Sequence, residues 1–548
     1  MALRAPDLIL TGGAVYAMDA ARTWAEAIAI SDGRIIGRGS NAEISDLRGP
    51  DTVVLDCRNR LVLPSFQDAH VHALWGGLSR TTCDLHDLAG ADAYLQTIKV
   101  YAAAHPDDEW VHGGGWSMDA FPGGTPHRDD LDAVVGDRPV FLVNRDGHGA
   151  WVNSAALARA GISASTPDPP GGRIERDAEG EPSGTLHEHA MDAVEDLLPS
   201  PSLAERCEGL LQAQDYLHSL GITAWQDPAV TEELLEAYVK VNEGSELSAR
   251  VSLDLLWTMD YDESALPDLV ARREASTSGR LRAGGVKFFV DGVAENFTAA
   301  MLEPYLGSDG LPSDNRGMSM FEPEALARYV TLLDHHRFQV HFHAIGDRAT
   351  REALDAVEAA AAANGTRDAR HHICHLQVVD PADIPRFRRL GVVANCQALW
   401  ACDEPQMRDL TIPFLGPERS RRQYPFASLQ RSGAILAFGS DWTVSTADPL
   451  QQIEVAVTRV APQTRDLEPF LPEERLGLPE ALAGFTIGSA FVNRIEHISG
   501  SIEEGKAADL VVLDRDLFED SSRPIGDAAV ALTMVGGAVV HQDESLDW

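Results

Sequence analysis

The alternation of apolar and polar positions changes period along the chain. The first 60 residues carry short apolar or alternating runs. These are Leu8 to Leu10, Ala14 to Ala17, Ala27 to Ile30, Ile35 to Gly37 and Val53 to Leu55, cut by Gly, Asp, Asn and Ser. The far end repeats that style at Ala508 to Asp514, Val530 to Val535 and Ala538 to His541, with Gly536-Gly537 as a tight turn. Neither end carries enough strands to bury a core comfortably. The two together predict a composite β-sandwich of residues 1–60 and 495–548, with the rest inserted between them.

The middle alternates strand with helix. Strands are predicted at Leu61 to Asp68, Ile222 to Gln226, Arg250 to Trp257 and Gly285 to Val290. Four more follow at Phe338 to His343, His371 to His375, Val392 to Asn395 and Ile435 to Ser440. Helical patterns lie between, clearest at Ala349 to Ala363, with Pro323 to His336 and Leu203 to Leu220. Eight strands with helical crossovers predict an α/β fold, a parallel (β/α)8 TIM-like barrel of residues 61–73 and 202–494. The span between the first two strands is too long for a loop. It has a helical run at Ala93 to Ala104, a strand at Pro139 to Asn144, a helix at Ala155 to Ala160 and a Pro/Gly-rich run at Thr166 to Gly172. It is predicted to be an inserted domain, 74–201, that caps the barrel mouth.

Composition narrows the class. Hydrophobic residues make up 44%, enough for a large core. No apolar run approaches the ~20 residues of a membrane span. The start, Met1 to Asp7, lacks the basic-then-apolar layout of a secretory signal, so a cytoplasmic location is expected. A formal net charge of -39 disfavours nucleic acid and anionic membranes as partners. No CxxC pair occurs among the six cysteines, and Cys374 reads as a buried free thiol. Of 45 basic residues, only Lys99, Lys240, Lys287 and Lys506 are lysine.

The candidate chemistry starts at His70-Val71-His72. Side chains at i and i+2 of a strand share a face, so two imidazoles project together from the end of the first strand. Barrel enzymes gather reactive groups at the C-terminal strand ends. There stand Lys287 on the fourth strand, His343 on the fifth, His375 on the sixth and Asp441 after the eighth. These are metal-ligand types or can become so, and together they point to a metal site. His341 shares a face with His343 and is read as its neighbour; His371 and His372 read as packing or polar contacts.

The order His-x-His, Lys, His, His, Asp on strands one, four, five, six and eight resembles the amidohydrolase superfamily. Local words resemble its amidohydrolase-3 branch, which includes N-substituted formamide deformylases. They are Asp146-Gly147-His148 with Trp151-Val152-Asn153-Ser154, Lys287 to Gly292, His343 to Ala349, His375-Leu376-Gln377, Gly439 to Trp442 and Gly500 to Leu510. Ser65, where the superfamily has Gly, is a departure ahead of the ligands.

The resemblance implies a divalent metal, zinc, as cofactor: two per chain, or one. His70, His72 and Asp441 would hold one ion and His343 and His375 the other, with Lys287 bridging as a carbamate. An ammonium would repel a cation, whereas a carboxylated lysine is an anionic oxygen ligand. The competing use of Lys287 is a buried pair with Asp291. Asp441 would be the catalytic proton carrier in hydrolysis of an amide-like C–N bond.

His148 resembles a substrate-contacting position of the branch. Trp75, Trp225, Trp257 and Trp442 fall at or past strand ends and Trp116 lies in the insert, so a small-molecule substrate with a bulky apolar or aromatic group is expected. Packing of the cap against the barrel is the other use of these rings. An N-acyl or N-formyl amine is the expected substrate. Ester, carbamate or lactone hydrolysis on the same site is the alternative, and a non-catalytic binding protein the remoter one. Deamination is disfavoured by Gly346, where a deaminase would carry Glu. A homodimer is left open.

Overall fold

The computed structural model describes residues 5–544; the remainder of the N-terminal signal reading and of the C-terminal boundary lies outside them. Its centre is an eight-stranded, all-parallel sheet. The strands, in chain order, are β1 (Phe66–Asp68), β2 (Ile222–Val230), β3 (Arg250–Leu256) and β4 (Leu281–Phe289). Then come β5 (Gln339–Ala344), β6 (His372–His375), β7 (Val393–Cys396) and β8 (Leu436–Phe438). Each pairs with the next in sequence. The ring closes just past the strand ends, where Ala69 N donates to Phe438 O at 2.9 Å and the Asn395 amide donates to Ala69 O at 2.8 Å. The fold is TIM-like α/β.

The crossover helices form where the pattern calls for them. Leu203–Ser219 opens on a capping box in which Ser202 and Glu205 satisfy each other's backbone N–H groups. Asp347–Asn364 is rich in Ala and buries Ala349, Ala353, Leu354, Val357 and Ala360. One apolar cluster joins these faces to strand residues such as Phe288, Val340, Phe342 and Ile373.

The first predicted strand is divided. Leu61–Pro64 pairs with Leu510–Leu513 and Ala14–Tyr16, outside the barrel, and the barrel begins at Phe66. The break falls at Ser65, whose N–H donates to Asp509 O and whose hydroxyl meets Thr223 Oγ1 at 2.5 Å. An apolar run carries no mark of a change of sheet, which is why the sequence reads as one strand.

The chain ends form two sheets, a four-stranded one of N-terminal strands alone and a six-stranded one that joins strands from both ends. Leu10, Ile28 and Ile30 of the first pack with Val62, Leu510, Val512 and Met534 of the second. Gly536 and Gly537 both have positive φ (54° and 77°), as the turn into Ala538–Gln542 requires. Residues 83–188 form another six-stranded sheet, running from Cys83–Asp84 through Val111–Trp116, Val140–Asn144, Gly149–Val152 and Pro182–Glu188 to Gly172–Arg176. Among the described residues no helix is long and apolar enough to cross a membrane.

Candidate active site

The histidines of the first strand end and the aspartate after the eighth meet. His70 Nε2 and His72 Nε2 each lie 3.3 Å from Asp441 Oδ1, and His375 Nδ1 lies 3.8 Å from Asp441 Oδ2. The approach is close enough that a Cβ on Gly439 would stand 2.5 Å from His70 N, so glycine is needed there. Asp68 holds the two strand ends in register. It accepts from His70 N at 2.9 Å and from Ser440 N at 3.1 Å, and burial lifts its carboxyl to about 7.

The His343 ring lies 4.6 Å from that of His375. Lys287 is fully buried, with Nζ 3.3 Å from Cys374 Sγ and 5.0 Å from the Phe289 ring. Among the described residues no carboxylate is in ion-pair range of Lys287. Asp291, the partner weighed for it, instead accepts the backbone N–H groups of Ala300, Ile345 and Gly346 at 2.9–3.0 Å and stands 3.3 Å from His343 Nδ1.

The electrostatics suit a cation. Burial, reinforced by the Lys287 charge, pushes the His70 imidazole down to about 3, and burial holds His343 and His375 well below their usual range. These rings are therefore neutral and keep a lone pair to donate. Burial works against the Asp441 carboxylate, but His70, His72 and His375 override it and hold it ionised. His343 Nδ1, His375 Nδ1 and Asp441 Oδ1 are buried without a hydrogen-bond partner. Orphaned donor atoms of these types on adjoining side chains fit a divalent metal, and ligand atoms of His70, His72 and Asp441 all lie within 4.8 Å of one another.

A second such trio is His70, His375 and Cys374, so the thiol read as an ordinary buried cysteine sits beside the candidate ligands. Strand alternation hides this, because adjacent residues should face opposite ways. Here His375 and Leu376 take positive φ (77° and 52°) and swing the strand end inward, and Asp441 does the same at 55°.

The predicted aromatic positions divide. Trp75 and Trp257, with His148, line a cavity of about 420 Å³ that also contains His70, Lys287, His343, His375 and Asp441. Trp116 and Trp442 line a neighbouring cavity of about 610 Å³. Trp400 stacks on His375 with ring centroids 5.1 Å apart and borders both cavities. Trp225 lines neither; it is fully buried in the apolar cluster around the barrel, on the strand face opposite Gln226.

Sequence reasoning missed Glu188. Its Oε2 accepts from His148 Nδ1 at 2.7 Å, and its Oε1 accepts from the Thr298 hydroxyl at 2.6 Å. Burial would push the imidazole down, yet the Glu188 charge lifts it to about 9. Glu188 ends a strand that begins at Pro182 in a Gly-, Pro- and Glu-rich stretch, where no apolar rhythm marks it.

Comparison with known proteins identifies the family. The profile of the amidohydrolase family matches residues 53–541. The chain belongs to the amidohydrolase family. It is 34% identical to Protein LONG AFTER FAR-RED 3 of Arabidopsis thaliana over 98% of this chain and 91% of that one. It is 28% identical to an N-substituted formamide deformylase of Arthrobacter pascens, over 98% of each. Among solved structures, an uncharacterized metal-dependent hydrolase from Pyrococcus furiosus superposes with a TM-score of 0.69 at 26% identity, covering 93% of this chain and 99% of that one. The protein is a hydrolase acting on carbon–nitrogen bonds, and its family implies a divalent metal.

Proposed function

We propose that this amidohydrolase cleaves the non-peptide amide bond of an N-acyl or N-formyl amine that carries a bulky apolar or aromatic group. The observation that carries the reading is the convergence of His70, His72 and His375 on Asp441, with unpartnered donor atoms at the floor of an aromatic-walled cavity. His70, His72 and Asp441 would hold one ion, zinc by the chemistry of nitrogen and carboxylate donors. His343 and His375 would hold a second, with Lys287 as a carbamate between them.

A divalent ion bound there supplies Lewis acidity and lowers the pKa of water towards ~7. Asp441 lies at the edge of the ligand cluster and takes the proton from the attacking water. It then returns that proton to the departing nitrogen. His148, held by Glu188, presents its other ring nitrogen to the cavity and orients the substrate carbonyl. Trp75 and Trp257 enclose the apolar substituent and exclude water. In this reading the insert, 74–201, caps the mouth. Residues 61–73 and 202–494 form the catalytic barrel, and 1–60 with 495–548 form a supporting sandwich.

The test is a substrate panel on metal-loaded protein: N-formyl and N-acetyl derivatives of aromatic amines, small aliphatic amides, and matching esters, carbamates and lactones. Faster turnover of the aromatic amides is expected. Equal rates on small aliphatic amides would remove the substrate assignment, and turnover of the esters or lactones alone would move the chemistry to C–O bonds.

A further inference from the structure

Below the candidate metal centre the barrel interior is polar where barrels of this type are filled by branched apolar side chains. Gln226, Asp254, His341 and His372 are all buried there, at 0–1% exposure. A buried polar layer costs stability unless its members satisfy one another. A chain of contacts runs through it towards the site. The Gln226 amide donates to Asp254 Oδ1 at 2.9 Å, Asp254 Oδ2 lies 2.7 Å from His341 Nδ1, and His341 Nε2 lies 2.9 Å from His70 Nδ1.

We propose that Asp254 and His341 are positioning residues that fix the orientation and tautomer of His70 for metal binding, an inference that rests on the metal reading above. As an ionised carboxylate Asp254 only accepts, and His341 Nδ1 then carries the proton of that contact. Its Nε2 is then an acceptor, and the proton of the next contact belongs to His70 Nδ1. That leaves the lone pair of His70 on Nε2, the atom facing Asp441. With both of its nitrogens engaged, His341 is not itself a ligand. The His372 ring packs against it, with centroids 3.8 Å apart. A carboxylate oriented through one imidazole onto a second is a longer version of the carboxylate–histidine pair common at metal sites.

The test is zinc affinity, measured by competition with a chromogenic chelator, beside the melting temperature of the metal-free protein. His341→Leu fills the space but cannot accept from His70; His341→Gln restores an acceptor oxygen. In H341L, zinc affinity is expected to fall by about 10- to 100-fold. H341Q is expected to recover most of that loss, although the metal-free forms of the two melt alike. Asp254→Asn, which keeps the shape and weakens the acceptor, is expected to fall between them and gives a second reading if H341L does not fold. Affinity in H341L equal to wild type would overturn the inference alone, as would equal losses in H341L and H341Q, which would mark a packing role. Wild-type protein that binds no divalent ion would overturn the metal reading and this inference with it.

Discussion

Asp441 and His70 meet through backbone and side chain together. The Asp441 N–H donates to the His70 carbonyl at 2.8 Å, while His70 Nε2 stands 3.3 Å from Asp441 Oδ1. The first contact helps join the eighth strand to the first; the second sits at the heart of the candidate site. Residues 371 positions apart therefore become neighbours only when the ring is closed. The cost of bringing them together is met by barrel folding, so the site is preorganised before any substrate arrives.

Asp441→Asn tests the proton-carrying role. The amide keeps the shape and the backbone contact but cannot carry the proton. A fall in kcat of about 10²- to 10⁴-fold is expected. Steady-state kinetics on the best panel substrate checks it, with circular dichroism to show that the fold is kept. Retention of more than a tenth of the wild-type kcat would assign the proton transfer elsewhere.

Lys287 can be tested by what replaces it. Arginine cannot react with carbon dioxide to form a carbamate, and alanine leaves space. Lys287→Arg and Lys287→Ala are both expected to bind less metal than wild type, by elemental analysis, and to lose activity. Only K287A is expected to regain part of both on addition of a short carboxylic acid, which returns the missing oxygen ligand to the gap. Full metal content in K287R would leave the lysine outside the ligand set.

Much of this was legible in the sequence where one regular period ran long enough. The fifth strand, read as Phe338 to His343, is Gln339–Ala344, and the helix read as Ala349 to Ala363 is Asp347–Asn364. The apolar alternation of these stretches is not interrupted, so both their type and their inward-facing histidines could be read. The insert was harder. Val111–Trp116 contains Gly113-Gly114-Gly115, which erases the alternation. A Cβ on Gly113 would stand 2.2 Å from Cys83 O, and Gly115, with φ of 100°, would meet His86 at 2.6 Å, so close packing against the neighbouring strand demands the residues that hide it. Asp254 was missed for a different reason. Between Leu253 and Leu255 it reads as an ordinary polar position of a half-exposed strand, and only barrel closure turns that face inward.

The contrast between Trp75 and Trp225 separates the two uses of the tryptophans. Trp75 is half-buried and lines the cavity with the candidate ligands, whereas Trp225 is wholly within the core. An aromatic contact is worth about 0.5–1.5 kcal/mol beyond area burial. Trp75→Ala is therefore expected to raise KM for an aromatic substrate by roughly 3- to 10-fold. Trp225→Phe is expected to leave KM and kcat near wild type and to lower the melting temperature. A KM shift in W225F as large as that in W75A would mean that burial does not sort these rings.

The His148–Glu188 pair makes stability depend on pH in a definite direction. The His148 imidazole, drawn down by burial and lifted by Glu188, titrates at about 9, above its ordinary value of 6.5. Its contribution is complete below pH 6.5 and is lost as pH rises through 9. The Glu188 carboxyl, pushed up by burial but drawn down by His148, titrates at about 2, below 4.5. Its contribution is complete above pH 4.5 and is lost as pH falls through 2. The pair thus stabilises the fold fully between pH 4.5 and 6.5. Breaking a buried ion pair by removing one partner costs about 3 kcal/mol. Glu188→Gln is expected to be destabilised by that amount near pH 6, with the gap to wild type shrinking as pH passes about 9. Urea unfolding of both proteins on either side of that value checks it. A gap that does not change with pH would show that the two side chains, both in the insert, meet as neutral groups through a hydrogen bond without charge.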